Sequence, residues 1–390
     1  MITKVKILSC ILAITVVIAK MTLACTLCTS VKLVSTIRED LNNPTTNLVF
    51  AGKLGKTQIN TDGSGTTEFF VKSVLRKPSG WEGGSTLIIP KYLPGGEKTN
   101  QSMTVILANW KENQITPIRA INLNENESLR EIVRITNAPT KQDINSLTAS
   151  FALMGSKEFE LSNDAFMEWA KADDLLVSET AKLLSPKLVR DYIQSSQSPQ
   201  NRLSLYAYLL GCCGNQEDDS AWFAKCLNSK ETKWLSARDG VMAGYLLLNP
   251  TEGWELAAKS LADSSTPLQD RLAILRSIKT LHNSEHPGTN SKFDNQIIQC
   301  LKNTILQKEL ADIAIDYLRQ WHLPQAEEIV LAAYPRKGES PLLARSVIQY
   351  SLSFRERPKC ATFLADQKLI YPDLIREVED LLGDLPHPPS

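Results

Sequence analysis

The sequence predicts an α+β protein in two parts, a small antiparallel β barrel followed by an all-α helical array. Residues 48 to 121 contain short runs of β-branched and aromatic residues separated by Gly, Pro, Asp and Asn, a pattern typical of antiparallel strands. After residue 139 apolar residues recur every three or four positions, and many of these stripes begin at a proline. With 390 residues, of which 43% are apolar and 22% charged, the chain has room for two domains.

The charge balance argues against a nucleic-acid partner. The 43 Lys and Arg residues equal the 43 Asp and Glu residues, and no segment carries the clustered cations that a phosphate backbone requires. The four histidines leave little material for metal or acid–base chemistry. We therefore expect neither a nucleic-acid partner nor a cofactor.

The first 24 residues have the pattern of a signal peptide. Lys4 and Lys6 precede an apolar run over 7–19, and Thr22-Leu23-Ala24 places small residues at the −3 and −1 positions of a cleavage site. The run is short for a bilayer-spanning helix. We expect export to the periplasm or extracellular space, with a mature chain that begins at Cys25.

A cysteine at the first mature position also raises lipidation as an alternative. A lipid on Cys25 would anchor the protein to a membrane, as in bacterial lipoproteins. Thr22 stands where such proteins carry Leu, and Lys20 lies close to the cleavage site, so both oppose it. We expect membrane contact if Cys25 is lipidated or the signal segment is retained.

Cys25 and Cys28 form a Cys-x-x-Cys pair at this predicted mature N-terminus. The pair predicts a local disulfide in an oxidising compartment, fixing the entry of the chain onto the barrel. The alternative is thiol–disulfide exchange by a thiol of lowered pKa. A redox pair of the thioredoxin type follows a strand and opens a helix, and this one lies at a chain end.

Five strands are predicted within the β domain, residues 25–138, and a short helix is predicted before them. Asp62-Gly63-Ser64-Gly65 is a hairpin turn between the first two strands. Pro117 marks the last strand as an edge. The strands are expected at 48–60, 66–76, 86–89, 104–110 and 114–121.

The region 25–121 resembles the OB-fold domain of metalloproteinase inhibitors and netrins. The resemblance rests on the early cysteines, on Val49-Phe50-Ala51-Gly52-Lys53, and on the segment 70–77. Those inhibitors carry Cys-x-Cys with both cysteines bridged within the domain, whereas here the next cysteine after Cys28 is Cys212. The resemblance implies an OB-like barrel, and protease inhibition does not transfer with it.

Residues 139–390 are predicted to form a helical repeat domain. Pro250 and Pro267 are 17 positions apart, as are Pro341 and Pro358, so one helix and its turn occupy 17 residues. A hairpin of about 34 residues lies within the range of helical-repeat solenoids. In this layout the region resembles the HEAT family, and we expect it to complete its own core. The whole chain resembles a group of exported bacterial proteins that join these two parts, which implies no activity.

The string His282-Asn283-Ser284-Glu285-His286 fits the H-x-x-E-H pattern of inverted zinc proteases. Zinc hydrolysis by His282, Glu285 and His286 is therefore an alternative function. The apolar stripe ends near Leu281 and Pro287 follows, so the five residues are predicted to form a loop without the required helical geometry. The tryptophans of the helical part, at 169, 222, 234, 254 and 321, are predicted to pack in the core.

These observations predict an exported binding or scaffold protein without catalysis, which contacts a protein partner in the cell envelope through a helical-repeat surface. No catalytic or cofactor-binding residue is predicted. The layout is a signal peptide over 1–24, an OB-like β domain over 25–138 and a HEAT-like α-helical repeat domain over 139–390.

Overall fold

The computed structural model describes residues 25–28, 32–93, 103–123, 126–136, 141–285, 293–336 and 339–383. The predicted signal segment therefore lies outside the described residues. In the N-terminal part, five antiparallel strands form one sheet in the order β3-β2-β1-β4-β5. The strands are β1 Leu48–Ile59, β2 Gly65–Arg76, β3 Thr86–Ile89, β4 Met103–Lys111 and β5 Gln114–Leu123. Their positions confirm the predicted strands to within a few residues.

Helices account for most of the remaining described chain. One precedes the sheet and the others follow it, so the predicted α+β class, with a β part followed by a helical part, is confirmed. The helices are α1 Ile37–Asn42, α2 Asn126–Thr136, α3 Ile144–Leu153, α4 Phe159–Lys171, α5 Asp174–Ala181, α6 Pro186–Gln194, α7 Leu203–Cys213, α8 Gln216–Asn228, α9 Thr232–Ser236, α10 Arg238–Leu248, α11 Pro250–Ala262, α12 Leu268–Asn283, α13 Asp294–Leu306, α14 Ala311–Gln320, α15 Glu327–Ala332, α16 Pro341–Ser353, α17 Pro358–Ile370 and α18 Pro372–Gly383. In the described residues no helix is both long and apolar enough to cross a membrane.

The sheet curls into a partly open barrel. β3 and β5, at opposite ends of the strand order, contact each other, as expected for a five-stranded Greek-key barrel of the OB type. Phe50 and Phe69 meet edge to face in one apolar cluster, with ring centroids 5.1 Å apart. Val49 and Val105 point to the other face, where α1 and α2 cover them. The first residues of β1 and of β4 are buried on both faces, and these segments, 48–51 and 103–108, are apolar except for Thr104.

The helical region has two layers. Successive inner-layer helices contact each other from α5 through α7 and α10 to α12, and again from α14 through α16 to α18. The α7 and α10 backbones approach closely because both helices carry glycine at the contact. A Cβ atom on Gly240 would lie 1.8 Å from the Ser204 carbonyl oxygen, and one on Gly211 would lie 2.3 Å from Gly244 Cα. Any larger side chain there would force the two helices apart.

Proline positions predict the helix starts, and among the residues that precede these prolines Ser340 caps its helix by accepting from the Leu343 amide at 3.4 Å. α6, α11 and α16 begin at Pro186, Pro250 and Pro341. Asn249 makes no capping hydrogen bond to α11. Its side-chain oxygen instead accepts from the Ser220 hydroxyl at 2.6 Å. The stretch 232–248 contains two helices, α9 and α10, which are divided at Ala237.

The barrel is attached to the helical region through α4. The Arg38 side chain of α1 donates to Glu168 Oε2 at 3.2 Å, and both groups are buried. The Ile37 amide donates to Asp164 Oδ1 at 2.6 Å. Arg119 of β5 lies 3.5 Å from Asp164 Oδ1. Leu161, on the same helix, belongs to the apolar cluster of the barrel. One helix therefore contributes both charge and apolar surface to the junction.

We predict that Asp164 makes folding stability depend on pH. Burial raises its pKa to about 7 against the opposing effects of the Ile37 amide and Arg119. Between about pH 4 and 7 the folded chain then holds a proton that the unfolded chain has released. The free energy of unfolding should therefore fall as pH rises through this window, by at most ~4 kcal/mol from this group.

Urea titrations at several pH values test this prediction. Asp164→Asn keeps an oxygen for the Ile37 amide and removes the charge, so its stability should vary less with pH than that of the wild type. The matched control is Asp143→Asn, since Asp143 is exposed and its pKa is lowered by hydrogen bonds from Ser146. A constant difference between Asp164→Asn and wild type at every pH would contradict the prediction.

Candidate binding site

The Cys25–Cys28 segment packs in the helical core, so the prediction that it fixes the chain onto the barrel is wrong. Thr26–Cys28 form a 3₁₀ turn that contacts α7 and α12, and α12 in turn contacts α5. The Cys25 amide donates to the Ala170 carbonyl at 3.1 Å. Because Cys25, Leu27 and Cys28 belong to the main helical cluster, residues 139–390 do not complete that core alone.

Asp174, the first residue of α5, holds this turn. Its Oδ1 accepts from the Thr26 amide at 2.9 Å, and its Oδ2 accepts from the Thr26 hydroxyl at 2.5 Å. Asn283, in the last turn of α12, donates to Oδ2 at 3.1 Å. Burial is the main reason that the pKa of Asp174 is raised. The carboxylate thus joins the N-terminal turn to two helices distant in sequence.

Cys25 and Cys28 are free thiols in the structure, with exposed fractions of 1% and 3%. Their disulfide stays a prediction. A hydrogen bond with Cys28, followed by burial, raises the pKa of Cys25 well above its usual value. Catalytic cysteines need a thiolate at an accessible, electropositive position. The environment of Cys25 therefore disfavours thiol–disulfide exchange in this packing.

His282 lies in the last turn of α12, which reaches Asn283, so the predicted loop is wrong at this position. Its ring stacks on Trp321, with centroids 4.2 Å apart and planes 27° apart. Burial lowers the pKa of His282 to about 4, so the imidazole is neutral at physiological pH. His286 lies outside the described residues, and the zinc prediction stays untested. Among the described residues no three His, Cys, Asp or Glu side chains are grouped to hold a metal.

The His282 ring is one end of an aromatic stack between α12 and α14. Tyr317 and Trp321 are four residues apart on one face of α14, and their centroids lie 4.8 Å apart at 29°. The Lys279 ammonium lies 5.7 Å from the Tyr317 ring centroid, a cation–π geometry. All four side chains are half-buried. We name the set Lys279, His282, Tyr317 and Trp321 the aromatic stack.

The prediction that the tryptophans pack in the core is confirmed for three residues, while Trp222 and Trp321 are half-buried against the same core. Trp169, Trp234 and Trp254 are buried, with exposed fractions of 0%, 9% and 4%. Trp321 instead contributes to a half-buried surface. The i, i+4 pair Tyr317 and Trp321 was visible in the sequence. The third ring, His282, lies on another helix 39 positions before Trp321, and no pattern in the sequence indicated that it stacks there.

The barrel carries a recess of about 540 Å³ beside the end of β2. Its lining mixes charged and apolar groups, namely Val74, Leu75, Arg76, Lys77, Trp81, Glu82 and Gly83. The recess is wide and open, and it lacks the stacked rings found between α12 and α14.

Comparisons with known proteins do not identify a family for this chain. No family model matches it, and no curated protein matches it. Among solved structures, human deoxyhypusine hydroxylase in complex with glycerol is 16% identical, with 63% of this chain and 91% of that chain covered. The TM-score is 0.25, so the match supports neither a fold nor a function for this chain.

We predict that His282 titrates near pH 4 in the folded protein. Its folded pKa lies below the usual value of 6.5, so its contribution to stability is complete above pH 6.5. That contribution should be lost as pH falls toward 4, because the unfolded chain binds the proton first. An NMR titration of the histidine ring signals measures this pKa directly.

His282→Gln assigns the signal by removing it, and the variant's stability should depend less on pH between 6.5 and 4 than that of the wild type. The exposed His322 provides the control variant, His322→Gln, which should leave the low-pH signal unchanged. A His282 signal that titrates near pH 6.5 would show that the ring is hydrated rather than stacked.

Proposed function

We propose that this chain is an exported binding or scaffold protein without catalysis, which contacts a protein partner in the cell envelope through its helical array. The aromatic stack is the observation that carries the proposal. It places three half-buried rings and a lysine on one surface between α12 and α14. The arrangement offers contact area and polar edges, and among the described residues no three metal-ligating side chains are grouped to hold a metal.

The thiols support a role without cysteine catalysis. Burial raises the pKa of Cys226, Cys300 and Cys360 to about 12, and that of Cys213 to about 11. All four side chains are therefore protonated thiols at neutral pH. Since the thiolate is the reactive form, none of them is prepared for nucleophilic attack.

The geometry of the aromatic stack suits recognition. Aromatic side chains are enriched at the energetic centres of protein interfaces because they bury large rigid surfaces. The rings of Tyr317 and Trp321 are held against each other and against His282 before any partner arrives. Prior ordering lowers the conformational entropy lost on binding. The neutral His282 imidazole also avoids the cost of burying a charge under a partner.

The rigid attachment of the barrel supports the scaffold part of the proposal. Arg38 and Glu168 form a buried ion pair, while Arg119 reaches both Asp40 and Asp164. These contacts hold the barrel at a fixed position relative to α4. A partner bound at the aromatic stack would therefore be held in a defined position relative to the barrel.

We predict that Trp321→Ala together with Tyr317→Ala removes the capture of a specific envelope partner. Tagged protein is expressed in its native envelope, captured and examined by mass spectrometry, and the affinity of each candidate is then measured by titration with purified protein. Loss of the central rings should weaken binding by roughly tenfold or more, as at interface hot spots.

Leu369→Ala is the matched control, since this apolar side chain is 86% exposed on α17, outside the aromatic stack. It should leave the affinity unchanged. Circular dichroism and a melting curve verify that each variant is folded. Equal affinity of the double variant and the wild type would reject the aromatic stack as the contact surface.

A further inference from the structure

We propose that hydrolysis of the Ala24–Cys25 peptide bond creates the functional N-terminus, and that the new α-ammonium group of Cys25 forms a buried ion pair with Asp174. The reaction consumes one water molecule and leaves a carboxylate on Ala24 and an ammonium on Cys25. The small residues Thr22 and Ala24 at the −3 and −1 positions fit an endopeptidase of the signal-peptidase class. The inference is independent of the proposed partner binding.

The Cys25 nitrogen already occupies a position that favours positive charge. It lies 3.1 Å from the carbonyl oxygen of Ala170, in the last turn of α4, which ends at Lys171. The final carbonyls of a helix lack partners within the helix and carry the negative end of its dipole. An ammonium group has three N–H donors. One can retain Ala170, and the others are free for a further acceptor.

Asp174 supplies that acceptor. The Thr26 amide lies 2.9 Å from Asp174 Oδ1, and adjacent backbone nitrogens are separated by at most one residue's span. The Cys25 nitrogen is therefore within roughly 6.5 Å of this oxygen. Once the bond to Ala24 is hydrolysed, rotation about the backbone of Cys25 would carry the freed ammonium group towards Asp174.

The carboxylate also lacks an ionic partner in the described chain. Asp174 is 4% exposed, and its hydrogen-bond donors there are the uncharged Thr26 and Asn283. The positive charge of Lys279 in α12 lowers the pKa of Asp174 from a distance, and the two side chains do not form an ion pair. A buried carboxylate without a nearby opposite charge is costly. The ammonium group of Cys25 would supply the opposite charge and so lower the free-energy cost of burying Asp174.

Such an ion pair would fix the N-terminal turn in the helical core. Cys25 is 1% exposed, so the pair would be shielded from water and correspondingly strong. A lipid on the Cys25 thiol could not reach a membrane while the turn keeps this packing, because the side chain is buried. A free amine and a free or bridged thiol are therefore expected on Cys25.

Mass spectrometry of the exported protein gives the first test. The intact mass and the N-terminal peptide should show a chain that begins at Cys25 with an unmodified α-amine. A first residue other than Cys25, or an acyl or lipid group on Cys25, would overturn the proposal.

The ion pair is tested with two otherwise identical chains, one beginning at Cys25 and one with Gly-Ser placed before Cys25. Asp174→Asn is introduced into both, since Asn retains an oxygen for the Thr26 amide and removes the charge. The melting temperature should drop by several degrees more in the chain that begins at Cys25. An equal drop in both chains would refute the pair.

A labelling experiment does not depend on any variant folding. The wild-type chain that begins at Cys25 is treated with an amine-reactive ester at neutral pH, folded and in urea, and the N-terminal peptide is quantified. The paired amine should react at least roughly tenfold more slowly in the folded chain, because the ion pair must open before the amine can react. Equal rates in the two states would show that the amine is exposed and unpaired.

Discussion

The burial of acidic side chains on α4 and at the start of α5 is the constraint on which the two-part structure depends. Asp164, Glu168 and Asp174 are each nearly inaccessible to water, and burial of a carboxylate is costly unless the structure supplies donors. Residues from the N-terminal part of the chain supply them, through Thr26, the Ile37 amide, Arg38 and Arg119. Removing the N-terminal part would leave these acids without their partners. The helical region is therefore not an independent unit to which a barrel has been added.

The same constraint shapes the helical array. In an open solenoid the inner layer lines a long concave surface available to partners. Here α12 contacts α5, and the turn over Thr26–Cys28 occupies the space between them and α7. Hydrogen bonds also connect these helices, since Asp239 of α10 accepts from Ser204 of α7 and from Arg276 of α12. Beyond this closed part, the side chains of the aromatic stack between α12 and α14 are half-buried.

Local features of the sequence were sufficient for the elements and insufficient for their contacts. Alternation and turn residues located the five strands, and proline located the starts of α6, α11 and α16, because both signals act within a few residues. The stack of His282 on Trp321 joins residues far apart in sequence, and no periodicity encodes it. Asn249 precedes Pro250 but does not cap α11, because its side-chain oxygen accepts a tertiary hydrogen bond from Ser220. The sequence also could not show that Trp321 is only half-buried, because the spacing of an aromatic residue does not reveal how widely the neighbouring helices are separated.

The position of the Cys25 turn also dictates the order in which the molecule can assemble. Thr26 finds its acceptor at Asp174, 148 positions later, and the same carboxylate is bonded to Asn283. Residues 25–28 therefore cannot reach their final place until most of the chain has been synthesised and has begun to fold. Contacts of such long sequence separation form slowly, because a large loop must close before they stabilise anything. Under the proposed cleavage before Cys25, this interval is the time in which a processing enzyme would reach that bond, and burial of Cys25 would end its access.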